Sequence, residues 1–191
     1  MKPARIPYFS ADDYLAFEET QASKHEYFQG EVFAMVGARD AHVTCSLNLA
    51  SRLHLHLRGT PCRPYMADMK LRVEAADAFF YPDVFVTCDA RDQANPLYKA
   101  HPRLIVEVLS DSTARFDRGE KFGAYRRLDA LREYVLIDPD TSTVEVFRRH
   151  QGSDDWSFHA YGGTDTLHLA SVELDIHLDE LFENTQPNQT I

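Results

Sequence analysis

Three side chains stand out for the chemistry their surroundings imply: Asp83, Glu107 and Lys121. Asp83 follows Pro82 and opens the apolar run from Val84 to Cys88, while Glu107 interrupts the otherwise aliphatic run from Leu104 to Leu109. An ionised carboxylate in an apolar sheet is costly unless it is paired or bound to a cation, so Glu107 is a candidate ligand. The blander arrangement is an edge strand that turns Glu107 to water. Oxygen donors without neighbouring Cys or paired His suit Mg²⁺ or Mn²⁺ better than zinc. Lys121, within the stretch from Asp117 to Phe122, reads on its own as a surface lysine. Beside two metal-binding carboxylates, a lysine can hold or deprotonate a water or neutralise charge on a pentavalent phosphorus. Together the three residue types suit phosphodiester hydrolysis.

The elements that must position these groups are legible. Ser10 followed by Asp13, Tyr14 and Phe17 predicts a capped N-terminal helix. Aromatic and branched residues on either side of Gln29-Gly30 predict a hairpin with Glu31 at the turn's exit. Val43, Leu47, Leu49, Ala50, Leu53 and Leu57 recur with helical period over His42–Leu57, and Gly59 supplies a stop. Two buried strand patterns, Val84–Cys88 and Leu104–Leu109, imply a central sheet. Arg115 to Leu128 reads as an amphipathic helix with Phe122 and Tyr125 facing inward, which sets Lys121 about 100° aside, at a rim. Glu133–Asp138 and Thr143–Arg148 form a hairpin around Pro139–Ser142, and short strands and a closing helical turn at Leu178–Phe182 follow.

Apolar residues make up 44 % and charged residues 26 % of the 191-residue chain, which argues against disorder or a membrane domain. No apolar run approaches the ~20 residues of a spanning helix, and the residues from Met1 to Phe9 lack a signal-peptide core, so a cytoplasmic location is expected. Cys45, Cys62 and Cys88 are odd in number and form no CxxC pair, so buried free thiols are expected. A net charge of −10 discourages a nucleic-acid partner at first sight. The charge is uneven, however: all eight acids after Arg149 face no Lys or Arg, whereas Lys99–Arg132 holds eight bases against five acids. One domain over residues 1–191 is expected, with a core at about 26–149 and an acidic C-terminal extension at 150–191. No Gly-rich phosphate loop, G-x-S-x-G elbow or H-E-x-x-H pair occurs.

An ordered set of motifs resembles the Uma-type family of restriction-endonuclease-like proteins: Glu26 to Val32, His42, Tyr81 to Val84, Leu104 to Thr113, Asp117 to Lys121 with Tyr125, Glu133 to Val135, and Asp138-Pro139. The resemblance covers about Tyr14 to Val146. It implies an α/β restriction-endonuclease-like core of the PD-(D/E)XK type, a central mixed sheet flanked by helices, with an added N-terminal helix and hairpin and C-terminal strands. It implies that Asp83 and Glu107 bind Mg²⁺ (or Mn²⁺), that Glu31 matches an upstream acid able to join the metal, and that a lysine assists the attacking water. Leu109 occupies the place of the usual lysine two residues after Glu107, so the role passes to Lys121 from the next helix. His42 is a supporting residue or a helix-start partner.

The leading expectation is therefore a Mg²⁺-dependent DNA endonuclease, with Asp83, Glu107 and Lys121 catalytic and Glu31, Asp83 and Glu107 at the metal. The alternatives are a catalytically silent binding protein on the same fold and a metal-dependent hydrolase of a small phosphate ester. Trp156, Phe158 and Tyr161 on strands poor in bases suggest an edge covered by a two-fold dimer.

Overall fold

The computed structural model describes residues 8–185; the N-terminal stretch read for a signal peptide lies mostly outside them. Helix α1 (Ala11–Glu18) starts at a reciprocal cap in which Asp13 N donates to Ser10 Oγ and Ser10 N donates to Asp13 Oδ2. The Gln29-Gly30 turn, with both residues at positive φ, joins β1 (His25–Phe28) to β2 (Glu31–Ala34). Such a two-residue turn matches the twist of a hairpin, and glycine takes the second position without a Cβ penalty. Helix α2 (Asp40–His56) follows, then β3 (Arg63–Met66), β4 (Lys70–Val73), a 3₁₀ turn at Glu74–Ala76, β5 (Ala78–Phe80), β6 (Val84–Thr87), α3 (Ala90–Ala94) and β7 (Tyr98–Lys99). The long strand β8 (Pro102–Val108) leads into a helix made of α4 (Ala114–Phe116), a π segment (Asp117–Lys121) and α5 (Phe122–Tyr125). Strands β9 (Glu133–Asp138), β10 (Thr143–Arg149), β11 (Trp156–Tyr161), β12 (Thr166–Leu169) and β13 (Leu174–His177) and helix α6 (Leu178–Leu181) complete the described chain.

The central sheet is six-stranded and mixed, in the order β11-β10-β9-β8-β6-β3, with β8 and β9 parallel and the other pairs antiparallel. Its two faces separate by the period-2 rule. Val84, Val86, Leu104, Val106, Val135 and Ile137 pack on one face with Cys45, Leu49 and Leu53 of α2. Phe85, Ile105, Tyr134 and Leu136 pack on the other with Ala124, Tyr125 and Leu128. A second sheet, β2-β1-β5-β4-β7, covers that other face through Leu71, Val73 and Phe80, and α1 seals its outside through Tyr14 against Tyr27 and Phe79. The sequence showed one central sheet; this second one was not visible because β5 and β7 are only three and two residues long.

Three expectations are corrected here. On α2, Leu49, Leu53 and Leu57 of the apolar series are buried beside Cys45 and Ala50 packs against them, but Val43 and Leu47 are half exposed and fall outside that stripe. The residues from 150 onward are no appendix: β11 completes the central sheet, and Leu167, Leu169, Ile176 and Leu181 are buried in the main core. Finally, Cys62 and Cys88 form a disulfide and only Cys45 is free. The pairing follows from register, because Arg63 faces Thr87 across β3 and β6 and the cysteines stand one step beyond.

Burial pushes the Cys45 thiol up to about 12, so it carries almost no thiolate at neutral pH. We predict that a thiol-specific reagent titrates no cysteine in the native protein, one after unfolding without reductant, and three after reduction, removal of the reductant and unfolding. Two or three reactive thiols in the unreduced, unfolded chain would rule out the Cys62–Cys88 bond.

Candidate active site

Register places Asp83 beside Glu107. Val84 faces Val106 across the antiparallel pair β6 and β8, so Asp83 and Glu107 stand opposite each other one step further on, Asp83 reaching toward α2 and Glu107 toward the helix of residues 114–125. Asp83 Oδ2 accepts the Val108 amide at 2.7 Å and lies 3.3 Å from His42 Nε2, near the start of α2. Burial works against the His42 imidazolium, but the hydrogen bond and charge of Asp83 outweigh it and hold its pKa above the ordinary value. Asp83 keeps 22 % of its side-chain surface and Glu107 only 4 %, so the site opens to solvent on the Asp83 side.

Glu107 faces the helix of residues 114–125 and the second sheet, and its Oε1 accepts Tyr125 Oη at 2.8 Å and Lys121 Nζ at 3.2 Å. Lys121 also reaches Glu26 Oε1 at 3.0 Å and Asp117 Oδ1 at 3.5 Å. Burial opposes the ammonium, yet Glu107, Glu26 and Asp117 together raise the Lys121 pKa, so it stays charged. Burial raises the Glu107 pKa well above the usual carboxylate range; Lys121 opposes that rise, and Asp117, Asp83 and Glu26 add to it. Asp117 is raised for the same first reason, with Lys121 again opposing.

Lys121 is therefore not at a rim. The inward stripe is Asp117, Lys121, Ala124, Tyr125 and Leu128, all buried, which is an i, i+4, i+7, i+8, i+11 series. Reading rotation from Phe122 and Tyr125 alone missed this because two of the five inward residues are charged. Phe122 instead lies to one side, stacked on Tyr134 with ring centroids 5.2 Å apart. The π geometry of Asp117–Lys121 falls on the turn that delivers both charges, a distortion that recurs at functional sites.

Glu31 does not join the group. It sits on β2, the outer edge of the second sheet, opposite Phe28, and is exposed. The acid of that hairpin that faces inward is Glu26, on β1, the strand that pairs with β5; Tyr27 points the other way, to α1, and the alternation turns Glu26 toward the helix. Glu26 and Asp117 were missed as site residues. The signal for Asp117 was its place four residues before Lys121, and for Glu26 its place beside the buried aromatic Tyr27.

All of the carboxylate donors are hard oxygens, and Asp117 Oδ1 is buried with no hydrogen bond and only the Lys121 ammonium, 3.5 Å away, against it, so the donor set fits a small divalent cation. Among the described residues, no three His, Cys, Asp or Glu groups stand converged as ready-made metal ligands; Lys121 holds the centre of the cluster.

The fold has a counterpart among solved structures, a protein from Anabaena variabilis described as a "putative nuclease belonging to DUF820", with a TM-score of 0.74 over 91 % of this chain and 97 % of that one at 17 % identity. The architecture is thus restriction-endonuclease-like. The chain belongs to the Uma2 family, described as "Putative restriction endonuclease", which it matches over residues 11–179. It is 37 % identical over 180 residues to "Uncharacterized protein slr1290" of Synechocystis sp., covering 94 % of each chain. To "Uncharacterized protein sll1609" of the same organism it is 35 % identical over 151 residues, or 78 % of this chain and 85 % of that one.

Removing the ammonium leaves Glu26, Glu107 and Asp117 buried against one another. We predict that Lys121→Met in EDTA lowers the unfolding free energy by about 3–5 kcal/mol, and that adding Glu26→Gln restores part of the loss. Urea denaturation of the two variants checks this; a loss no greater than an exposed lysine gives would show that the cluster is not buried as described.

Proposed function

We propose that this chain is an endonuclease that hydrolyses phosphodiester bonds of DNA with Mg²⁺ or Mn²⁺ at the cluster of Asp83, Glu107 and Lys121. The observation that supports it best is the buried carboxylate group around one lysine, in a member of a family described as restriction endonucleases. Asp83 and Glu107 are the residues that would hold the cation, from adjacent strands, with Glu26 and Asp117 beside them. A divalent cation at such a site supplies Lewis-acid polarisation of a phosphoryl oxygen and a more acidic bound water.

The chain's own groups have separable tasks. His42 and the Val108 amide fix the Asp83 carboxylate, and Tyr125 fixes Glu107. Lys121 keeps its positive charge where negative charge grows on the non-bridging oxygens and on the leaving 3′-oxygen. We further propose self-association as a two-fold dimer through the free edge of β11, where Phe158 is 57 % exposed.

Cleavage of supercoiled, linear duplex and single-stranded DNA with Mg²⁺, Mn²⁺ or EDTA tests the activity. We predict cleavage that EDTA abolishes, a fall of at least a hundredfold in Asp83→Ala and Glu107→Gln, and near wild-type rates in Glu31→Gln. Equal cleavage by wild type and Asp83→Ala would overturn the assignment of the site. Light scattering at micromolar concentration tests the dimer, which a monomeric mass would exclude.

A further inference from the structure

At the opposite end of the central sheet from the carboxylates, three arginines form one rank. Leu104 faces Glu133 across β8 and β9, and Glu133 faces Arg148 across β9 and β10, so Arg103, Arg132 and Arg149 stand side by side one step beyond. Backbone hydrogen bonds fix the rank: Arg132 N donates to Arg103 O and Arg149 N to Arg132 O, both at 2.9 Å. With strands about 4.8 Å apart, three backbones carrying like charge are held within about 10 Å, an arrangement that is unfavourable without a counter-charge.

The guanidinium groups do not find that counter-charge among the described residues. Arg103 Nε donates to the Ser171 carbonyl at 2.5 Å, Arg132 to the Asp129 carbonyl at 2.9 Å, and Arg149 to the Arg126 carbonyl while lying over the Trp156 ring. Among the described residues, none of the three has a carboxylate oxygen within 4.0 Å; Arg148 alone at this end is paired, with Glu133. Asp154 lies at the cleft and Asp129 nearby, and neither closes on an arginine. Burial and the charges of Arg132 and Arg126 hold the Arg149 pKa below its ordinary value, against the opposing pull of Asp154 and Asp129. In a chain of net charge −10, unpaired arginines gathered in one place are a specific feature rather than a general excess of base.

The rank opens into a cleft of about 710 Å³ whose lining includes Arg103, Arg132, Arg149 and Ser171 together with two carboxylates, Asp154 and Glu133, the latter occupied by Arg148 and the Ala170 and Ser171 amides. Arg149 Nε and Ser171 Oγ, two of the three buried side-chain atoms that lack a hydrogen-bond partner among the described residues, belong to the cleft. The third such atom is Asp117 Oδ1 of the carboxylate cluster. Buried polar groups in folded proteins are nearly always satisfied, so two orphans beside unpaired cations mark a place for a ligand with acceptor oxygens.

We infer that this cleft is a second binding site, specific for a phosphate-type oxyanion held by Arg103, Arg132, Arg149 and Ser171. It is separate from the carboxylate cluster: four residues of β8, about 13 Å at strand rise, divide Arg103 from Glu107. The anion is a phosphate of a nucleic-acid backbone or a free phosphate or pyrophosphate, and guanidinium forks suit either.

The test measures binding in EDTA, which removes any cation, of pyrophosphate by calorimetry and of a single-stranded DNA oligonucleotide by fluorescence anisotropy. We expect Arg103→Gln/Arg132→Gln to weaken binding at least tenfold and Glu31→Gln, on the exposed outer edge of the second sheet, to leave it unchanged. Loss of both ligands in the double variant means that the cleft takes phosphate in either form; loss of the oligonucleotide alone assigns it to a nucleic-acid backbone, and loss of pyrophosphate alone to a free anion. Unaltered binding of both ligands in the double variant, or no binding by the wild type, overturns the inference. If the double variant does not fold, Ser171→Ala takes its place with an expected threefold loss, and unaltered binding there overturns the inference equally. Because these measurements need no cleavage, their outcome is independent of the proposed nuclease activity.

Discussion

The placement of one ammonium group organises the half of the molecule that faces the second sheet. Lys121 Nζ is within 3.5 Å of carboxylates from β1, from β8 and from its own helix, in a position where little water reaches it. A lysine or a carboxylate alone at that depth would lose its charge or leave the interior. The ion cluster therefore requires the small sheet, the helix and the central sheet to dock together. The aromatic packing around it, Phe80 against Tyr125 and Phe122 against Tyr134, excludes the solvent that would weaken it. Structure and site are mutually dependent here: the apolar shell makes the charges interact strongly, and the charges fix how the shell closes.

Much of the fold was legible because most of its elements follow simple periodic rules. The capped start of α1, the hairpin at Gln29-Gly30, β9 at Glu133–Asp138 and the closing turn at Leu178–Leu181 all lie where composition and spacing put them. What stayed hidden was set by pairing between distant segments. The disulfide depends on the register of β3 against β6, and the second sheet depends on strands too short to show a pattern. On α2 the apolar series spreads over more of the helix than the stripe that is buried, which leaves Val43 and Leu47 half exposed.

The site was legible in kind and less so in composition. Asp83 and Glu107 announced themselves because each adjoins or interrupts an apolar strand, and strand register sets them opposite each other. Lys121 was found through its motif but was assigned the wrong depth, since a rule that reads inward faces from apolar residues fails where the inward face is charged. Glu31 and Glu26 show the limit most clearly. Both belong to one hairpin of four-residue strands, and only knowledge of which strand lies inside a sheet tells the exposed acid from the buried one.

The Cys62–Cys88 bond gives the chain a covalent ring. The two cysteines are 26 positions apart, and the segment between them carries β4, β5 and Asp83 itself. Closing a ring of that size removes conformations from the unfolded ensemble and on that ground contributes on the order of 3–4 kcal/mol to stability, without touching any atom of the site. The same ring alters the effect of a backbone break. A protease that cuts once in the exposed turn at Ala67-Asp68 would leave both fragments tethered, so the nicked chain could still bring Asp83 back to Glu107 without meeting its other half by diffusion.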